Sequence, residues 1–215
     1  MRYYLFFLLR LLFFAFFPFW VLVRASVYFY LSHHLNPWVS LFSGFLLSTL
    51  IFLFYALYWK YKLNLKTKSL KSVNWTYWIM FSVLLTYFIP AVFSLTSSNA
   101  KTPEVKEEYA SLHPVLRLGI ATILILDDDL VITDADRKPE DYWKMGLPTK
   151  EHSLHYKQLS GYVHAVDIRT KDRGGIKNFL VESYFRIMGF NTLRHVGTAD
   201  HLHISITSPD RPLSI

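Results

Sequence analysis

The chain has no cysteine among its 215 residues. That excludes a disulfide scaffold and any thiolate-ligated metal site. It also lacks internal repeats and low-complexity tracts. The most informative absence is acid. None of the 16 Asp and Glu residues falls in the first hundred positions, which nonetheless hold Arg2, Arg10, Arg24, Lys60, Lys62, Lys66, Lys68 and Lys71. After position 100 the acids are nearly balanced by 15 basic residues. The pI of about 9.5 therefore describes the first half and gives no reason to expect a nucleic-acid partner. A single soluble globule and a disordered chain are both excluded. What remains is a membrane region, residues 1–100, followed by one soluble domain large enough for its own core.

The hydrocarbon core of a bilayer requires roughly 20 apolar residues in helix. Three stretches meet that need: 3–23, interrupted by Arg10 and Pro18; 38–58, uncharged; and 75–95. Trp20, Trp38, Trp59, Trp75 and Trp78 stand at or near their ends, where amphipathic rings favour the headgroup level. Arg10 has no acidic partner in any span and lies near one end, so it reads as a snorkelling side chain. The loop 59–75 carries five lysines and the loop 31–37 carries no Lys or Arg. An excess of basic residues marks the cytoplasmic side. Against the weaker opposing signal of Arg24, this places the C-terminal domain outside a cytoplasmic membrane, as a multi-pass protein whose first partner is the lipid bilayer. The first span is too long for a cleaved signal peptide, and no small-residue site follows it closely. Ser98 and Ala100 read as a small-residue exit from the third span.

Residues 101–111 are polar and read as a tether. Pro114 opens an apolar run of helical length, and 130–133 reads as a short strand. The polar stretch 134–157 reads mostly as loop, with a second strand ending at Ile168. Apolar residues at Ile176, Phe179, Leu180, Tyr184, Ile187 and Met188 predict an amphipathic helix closed by Gly189. Strands over 190–195 and 202–206 flank Gly197. The fold class is thus three N-terminal transmembrane α-helices followed by a small α+β domain, 112–215, with an antiparallel sheet.

Seven of the nine histidines lie in this domain. In His201-Leu202-His203 the alternation of a strand puts both imidazoles on one face, where Asp167 of a neighbouring strand can meet His203. Neutral imidazoles and a carboxylate converging from different elements are what a three-ligand zinc site with an open fourth position requires. His33 and His34, adjacent in a polar loop, have no carboxylate nearby and read as solvated. Asp127-Asp128-Asp129 lacks calcium-loop spacing.

The motifs SLHY (153–156), AVDI (165–168) and DHLH (200–203), in this order with a helix between the second and third, resemble the zinc D-alanyl-D-alanine peptidase and hedgehog signalling-domain superfamily. VITDADR (131–137) resembles the arginine-containing segment of its peptidases. The resemblance covers about 112–206. It implies Zn2+ held by His155, Asp167 and His203, with Asp200 as the base acting on the attacking water. It further implies His201 as a supporting imidazole and Arg137 as the group that grips a substrate carboxylate. The gap between His155 and Asp167 is longer than in the family. Either the extra residues bulge out of 157–163 or His164 replaces His155; His164 is three positions from Asp167 and so on the opposite strand face, which favours His155. The function implied is a membrane-anchored metallopeptidase acting on peptidoglycan peptides. The competing reading is a catalytically silent zinc-binding module that recognises a wall peptide or a protein.

Overall fold

A computed structural model describes residues 2–62, 70–144, 146, 148, 152–197, 200–209, 211 and 214. The chain begins with α1 (Arg2–His33), α2 (Pro37–Lys62) and α3 (Leu70–Phe93). Among the described residues two helical stretches, Tyr3–His33 and Pro37–Lys62, are long and apolar enough to cross a membrane. The third expected span, 75–95, is not among them. Its apolar helical stretch is Tyr77–Phe93, which at 1.5 Å per residue reaches only about 25 Å, short of the roughly 30 Å hydrocarbon core. Of the lysine-rich loop that sets the expected orientation, 63–69 lies outside the described residues.

α1 and α2 pack closely. Ser48 donates to the carbonyl of Pro18 (2.8 Å), a carbonyl set among aromatic side chains. At Gly44 a Cβ would lie 2.7 Å from the carbonyl oxygen of Leu22. Only a residue without a side chain permits that approach.

The stretch read as a tether is folded. A 3₁₀ turn (Ser97–Asn99) leads to α4 (Pro103–Glu108), capped by Thr102, and a second 3₁₀ turn (Tyr109–Ser111). Val105 and Tyr109 are buried, and the Lys101 amide donates to Ile132 O (2.9 Å). The α+β domain is thus joined to α3 by folded chain. α5 (Pro114–Leu124) starts at a proline, as expected, and buries nearly every side chain from Pro114 to Ile120. It serves two cores at once. Arg117 donates to Val92 O of α3 (2.9 Å), and its ring neighbour is Trp38 of α2.

The sheet follows the expected order: β1 (Ile132–Asp134), β2 (Ala165–Arg169), β3 (Asn191–His195) and β4 (His201–Ser205). Its spatial order is β1-β2-β4-β3, antiparallel throughout. A short α6 (Pro139–Lys144) stands in the stretch read as loop, and α7 (Gly175–Met188) ends at Gly189, whose φ of 96° is the left-handed cap glycine supplies. Val166, Ile168, Leu202 and Ile204 are buried in the core cluster with Phe185 and Ile120. Alternation sends Asp167 and His203 to the other face.

Candidate metal centre

Register creates the site. β2 pairs with β4 so that Asp167 lies directly opposite His203. β1 pairs with β2 through an irregularity that takes the partner of Ile132 as Ile168 but that of Asp134 as Asp167. This bulge, which re-aims a strand end, sets a second carboxylate beside Asp167. The third imidazole arrives from a turn. Ser153 accepts the His155 amide (3.2 Å) and the Tyr142 hydroxyl (2.9 Å) through its Oγ, so the SLHY motif is folded around its own serine.

His155, Asp167 and His203 are all buried, and one ligand atom of each lies within 4.8 Å of the others. His203 Nδ1 is 2.9 Å from Asp167 Oδ1. His155 Nε2 is 3.4 Å from the same oxygen and 3.2 Å from His203 Nδ1. A tetrahedral zinc ion with bonds near 2.0–2.1 Å spaces its ligands by about 3.3 Å. The three atoms already stand at that spacing. His155 Nδ1 lies 2.8 Å from Ala135 O. That carbonyl can only accept, so Nδ1 carries a proton, and in the neutral ring Nε2 keeps the lone pair that a metal needs. The donor set fits a divalent cation, and one metal ion would satisfy all three. Nothing in the donor set singles out zinc from other borderline metals.

Charge around the group is managed by Arg137. It donates through Nε to Asp134 Oδ2 (2.9 Å) and through NH2 to Asp167 Oδ2 (2.5 Å). Burial opposes ionisation of Asp167, but His155, His203 and Arg137 override it and hold its carboxyl well below the usual carboxylate range. Burial would lower the Arg137 guanidinium as well, and the two aspartates more than reverse this. Arg137 therefore orients the outer oxygen of Asp167 and leaves Oδ1 for the site. Glu108, whose carboxylate accepts from the Ala135 and Asp136 amides, is raised by burial and by Asp134.

The remaining expected site residues divide. His201 Nε2 is 3.7 Å from Asp167 Oδ2, on the metal-facing side of β4. Asp200 is not brought to the group. Its carboxylate accepts from Arg194 Nε (3.1 Å), Arg194 NH2 (3.2 Å) and Thr170 Oγ1 (3.0 Å). It is three positions before His203, an odd separation, and Arg194 pairs with Leu202 rather than with a histidine. The side chain thus belongs to the opposite face. His164 also lies elsewhere, with Nε2 at 2.8 Å from Ser160 Oγ and its ring against His113. The extra residues after His155 form an excursion in which Gly161, at φ 80°, turns the chain. Tyr162 then accepts from Trp38 Nε1 of α2 (2.8 Å).

Two neighbours escaped the sequence reading. Asp134 is placed by a bulge, which no residue pattern announces. His195 pairs with His201 across β3 and β4 and stacks on it at 4.6 Å; its even separation from Leu193, the partner of His203, was a usable signal. No protein-family profile matches the chain, and no curated protein or solved structure matches it.

Proposed function

We propose that the protein is a membrane-anchored, zinc-dependent peptidase. Its reading as a protein of the cytoplasmic membrane with an extracytoplasmic domain makes peptidoglycan stem peptides, or a D-amino-acid-containing terminus, the substrate class. The observation that carries the reading is the convergence of His155 Nε2, Asp167 Oδ1 and His203 Nδ1 at metal-ligand spacing in a buried site. A bound metal supplies Lewis acidity toward a carbonyl and lowers the pKa of water. The chain's own residues do the rest. His155 is held in one tautomer by Ala135 O, and Asp167 is held ionised by Arg137. His201, on the site face and backed by His195, is placed to take and return a proton. Arg137 has a guanidinium edge at the site but spends two donors on Asp134 and Asp167, so gripping a substrate carboxylate would fall to its remaining donors.

The pairing of Asp200 with Arg194 favours a second reading, a zinc-binding module without hydrolysis. One experiment addresses both. Full-length protein purified in detergent should carry about one zinc per chain and release peptides from purified peptidoglycan, with both properties lost in His155→Ala. Zinc without hydrolysis selects the binding module; no bound metal in the wild-type chain removes both readings.

A further inference from the structure

α7 has two apolar faces. Asn178, Val181, Phe185 and Met188 are buried. On the opposite side Ile176 (79% exposed), Phe179 (67%), Leu180 (58%) and Ile187 (61%) form a stripe at helical spacing, broken at Ser183. Ile125 and Leu126, just past α5, are each 65% exposed. Isolated exposed apolar residues are ordinary, but a contiguous set marks a contact surface.

The location of these residues says what covers them. α5 descends along α1. His113, at its start, meets Tyr30 at a ring distance of 4.4 Å. Near its end Thr122 hydrogen-bonds Tyr87 of α3, and Tyr87 packs on Phe19 of α1 at 5.0 Å. From Tyr30 to Phe19 is about 16 Å along the helix axis. With 3–23 as the hydrocarbon segment of α1, Phe19 lies about 6 Å inside its end, and Ile125 and Leu126 follow at that depth. α7 is fixed beside them. Tyr184 donates to Gly119 O (2.8 Å). At its C-terminal end a Cβ on Gly189 would stand 3.0 Å from the Arg24 guanidinium and 3.1 Å from Val27. At its N-terminal end Lys177 pairs with Asp129 (2.6 Å), and Arg173 pairs with Asp127, both acids belonging to the turn after Leu126. Both ends of α7 thus sit at the level where α1 leaves the hydrocarbon. Lys177 and Arg186 flank the stripe, each paired with an acid, Asp129 and Glu182, so the stripe is bordered by charged groups of both signs, as at a lipid headgroup level.

We propose that the exposed face of α7, with Ile125 and Leu126, lies in the headgroup–acyl boundary of the bilayer that α1 and α2 cross. The α+β domain is then sunk into the membrane surface and is not carried above it. The proposal rests on the membrane reading of α1 and α2 and is independent of the peptidase reading.

The absence of cysteine makes single-cysteine labelling free of background. The full chain, as Phe179→Cys, Phe13→Cys or Lys157→Cys, is labelled with an environment-sensitive fluorophore. It is reconstituted in phosphatidylcholine–phosphatidylglycerol vesicles containing nitroxide lipids, labelled near the headgroup or near the chain end. The label at 179 should be quenched by the headgroup-proximal nitroxide at least about twofold more than the label at 157, and shielded from aqueous iodide. The label at 13 should respond to the chain-end nitroxide. If 179 behaves like 157 while 13 is quenched, the helices cross the bilayer and the proposal is wrong. Shielding of 179 from both lipid nitroxide and iodide would mean that protein covers the face, which also overturns it. If 13 escapes lipid quenching, the membrane reading fails and takes the proposal with it.

Discussion

At the residue scale, one rule of strand geometry separates two kinds of neighbour. Positions three apart on a strand face opposite ways. It tells against His164 as the partner of Asp167, and the structure brings His155 to Asp167 instead. Applied to Asp200 and His203 the same parity sends Asp200 to Arg194 and Thr170. His155→Ala is expected to abolish tight metal binding, because two protein ligands remain, while His164→Ala keeps it; metal analysis of the purified variants checks this. His201→Gln should lower hydrolysis by about 10²–10⁴ with metal retained, the usual cost of losing a general base. Asp200→Ala should instead cost about 1–2 kcal/mol of stability, by leaving Arg194 unpaired. A hydrolysis assay beside thermal unfolding distinguishes them: a rate loss confined to Asp200→Ala would restore that carboxylate as the base. His113 is a different case. It is fully buried, both ring nitrogens lack partners, and Tyr30, His164, Tyr162 and Arg117 face it. Burial, with His164 and Arg117, holds its pKa well below the ordinary value. The unfolded state therefore binds the proton more readily, and stability is lost as pH falls below about 6.5, by up to about 1.4 kcal/mol per pH unit. Melting curves should show a slope between about pH 6.5 and 5 that flattens in His113→Phe.

At the element scale, periodicity identified α7 but not which face meets protein. Of the six apolar positions that predicted the helix, Ile176, Phe179, Leu180 and Ile187 are exposed and Met188 is buried, and the buried side includes Asn178. Asn178 can be buried because its amide donates to Thr170 O (3.0 Å), which stitches the helix to the end of β2. A helix with two apolar faces gives a pattern that cannot say which one meets protein. The pairing of α1 with α2 has a sharper dependence. Gly44→Val would drive its side chain into the backbone of α1 at Leu22 and Ser26. It should cost about 1–3 kcal/mol, the usual penalty of overpacking. A lowered melting temperature of the full chain in detergent is the expected readout; an unchanged value would show that the helices separate in solution.

For the molecule as a whole, the domain is tied to the helices by α4, by α5 and by the excursion after His155, whose Tyr162 reaches Trp38. The long gap between the first two metal-site motifs thus has a structural use: it reaches from the site to the membrane helices. Five lysines in one loop and none in the other put the domain outside the cytoplasm only if α3 also crosses the bilayer beside α2. A reporter fused after Ile215 that works only in the cytoplasm would reverse the orientation and remove peptidoglycan as the substrate.

The sequence alone determined what depends on composition and local period. These are the acid-free apolar first half, the order of α5, α7 and the four strands after Pro114, the αL cap at Gly189, and residues of the candidate metal group. Asp167 and His203 were legible because strand alternation puts them on one face, while His155 was implied by the resemblance of the motif set. The tertiary structure decided what depends on distance between remote segments. It made the tether 101–111 a folded link, because Val105 and Tyr109 found a core to enter. It placed Asp134 beside Asp167 through a bulge and turned Arg137 toward both, since two adjacent carboxylates need a shared cation. It also exposed the apolar stripe of α7, because α5 and the sheet had already claimed the other face.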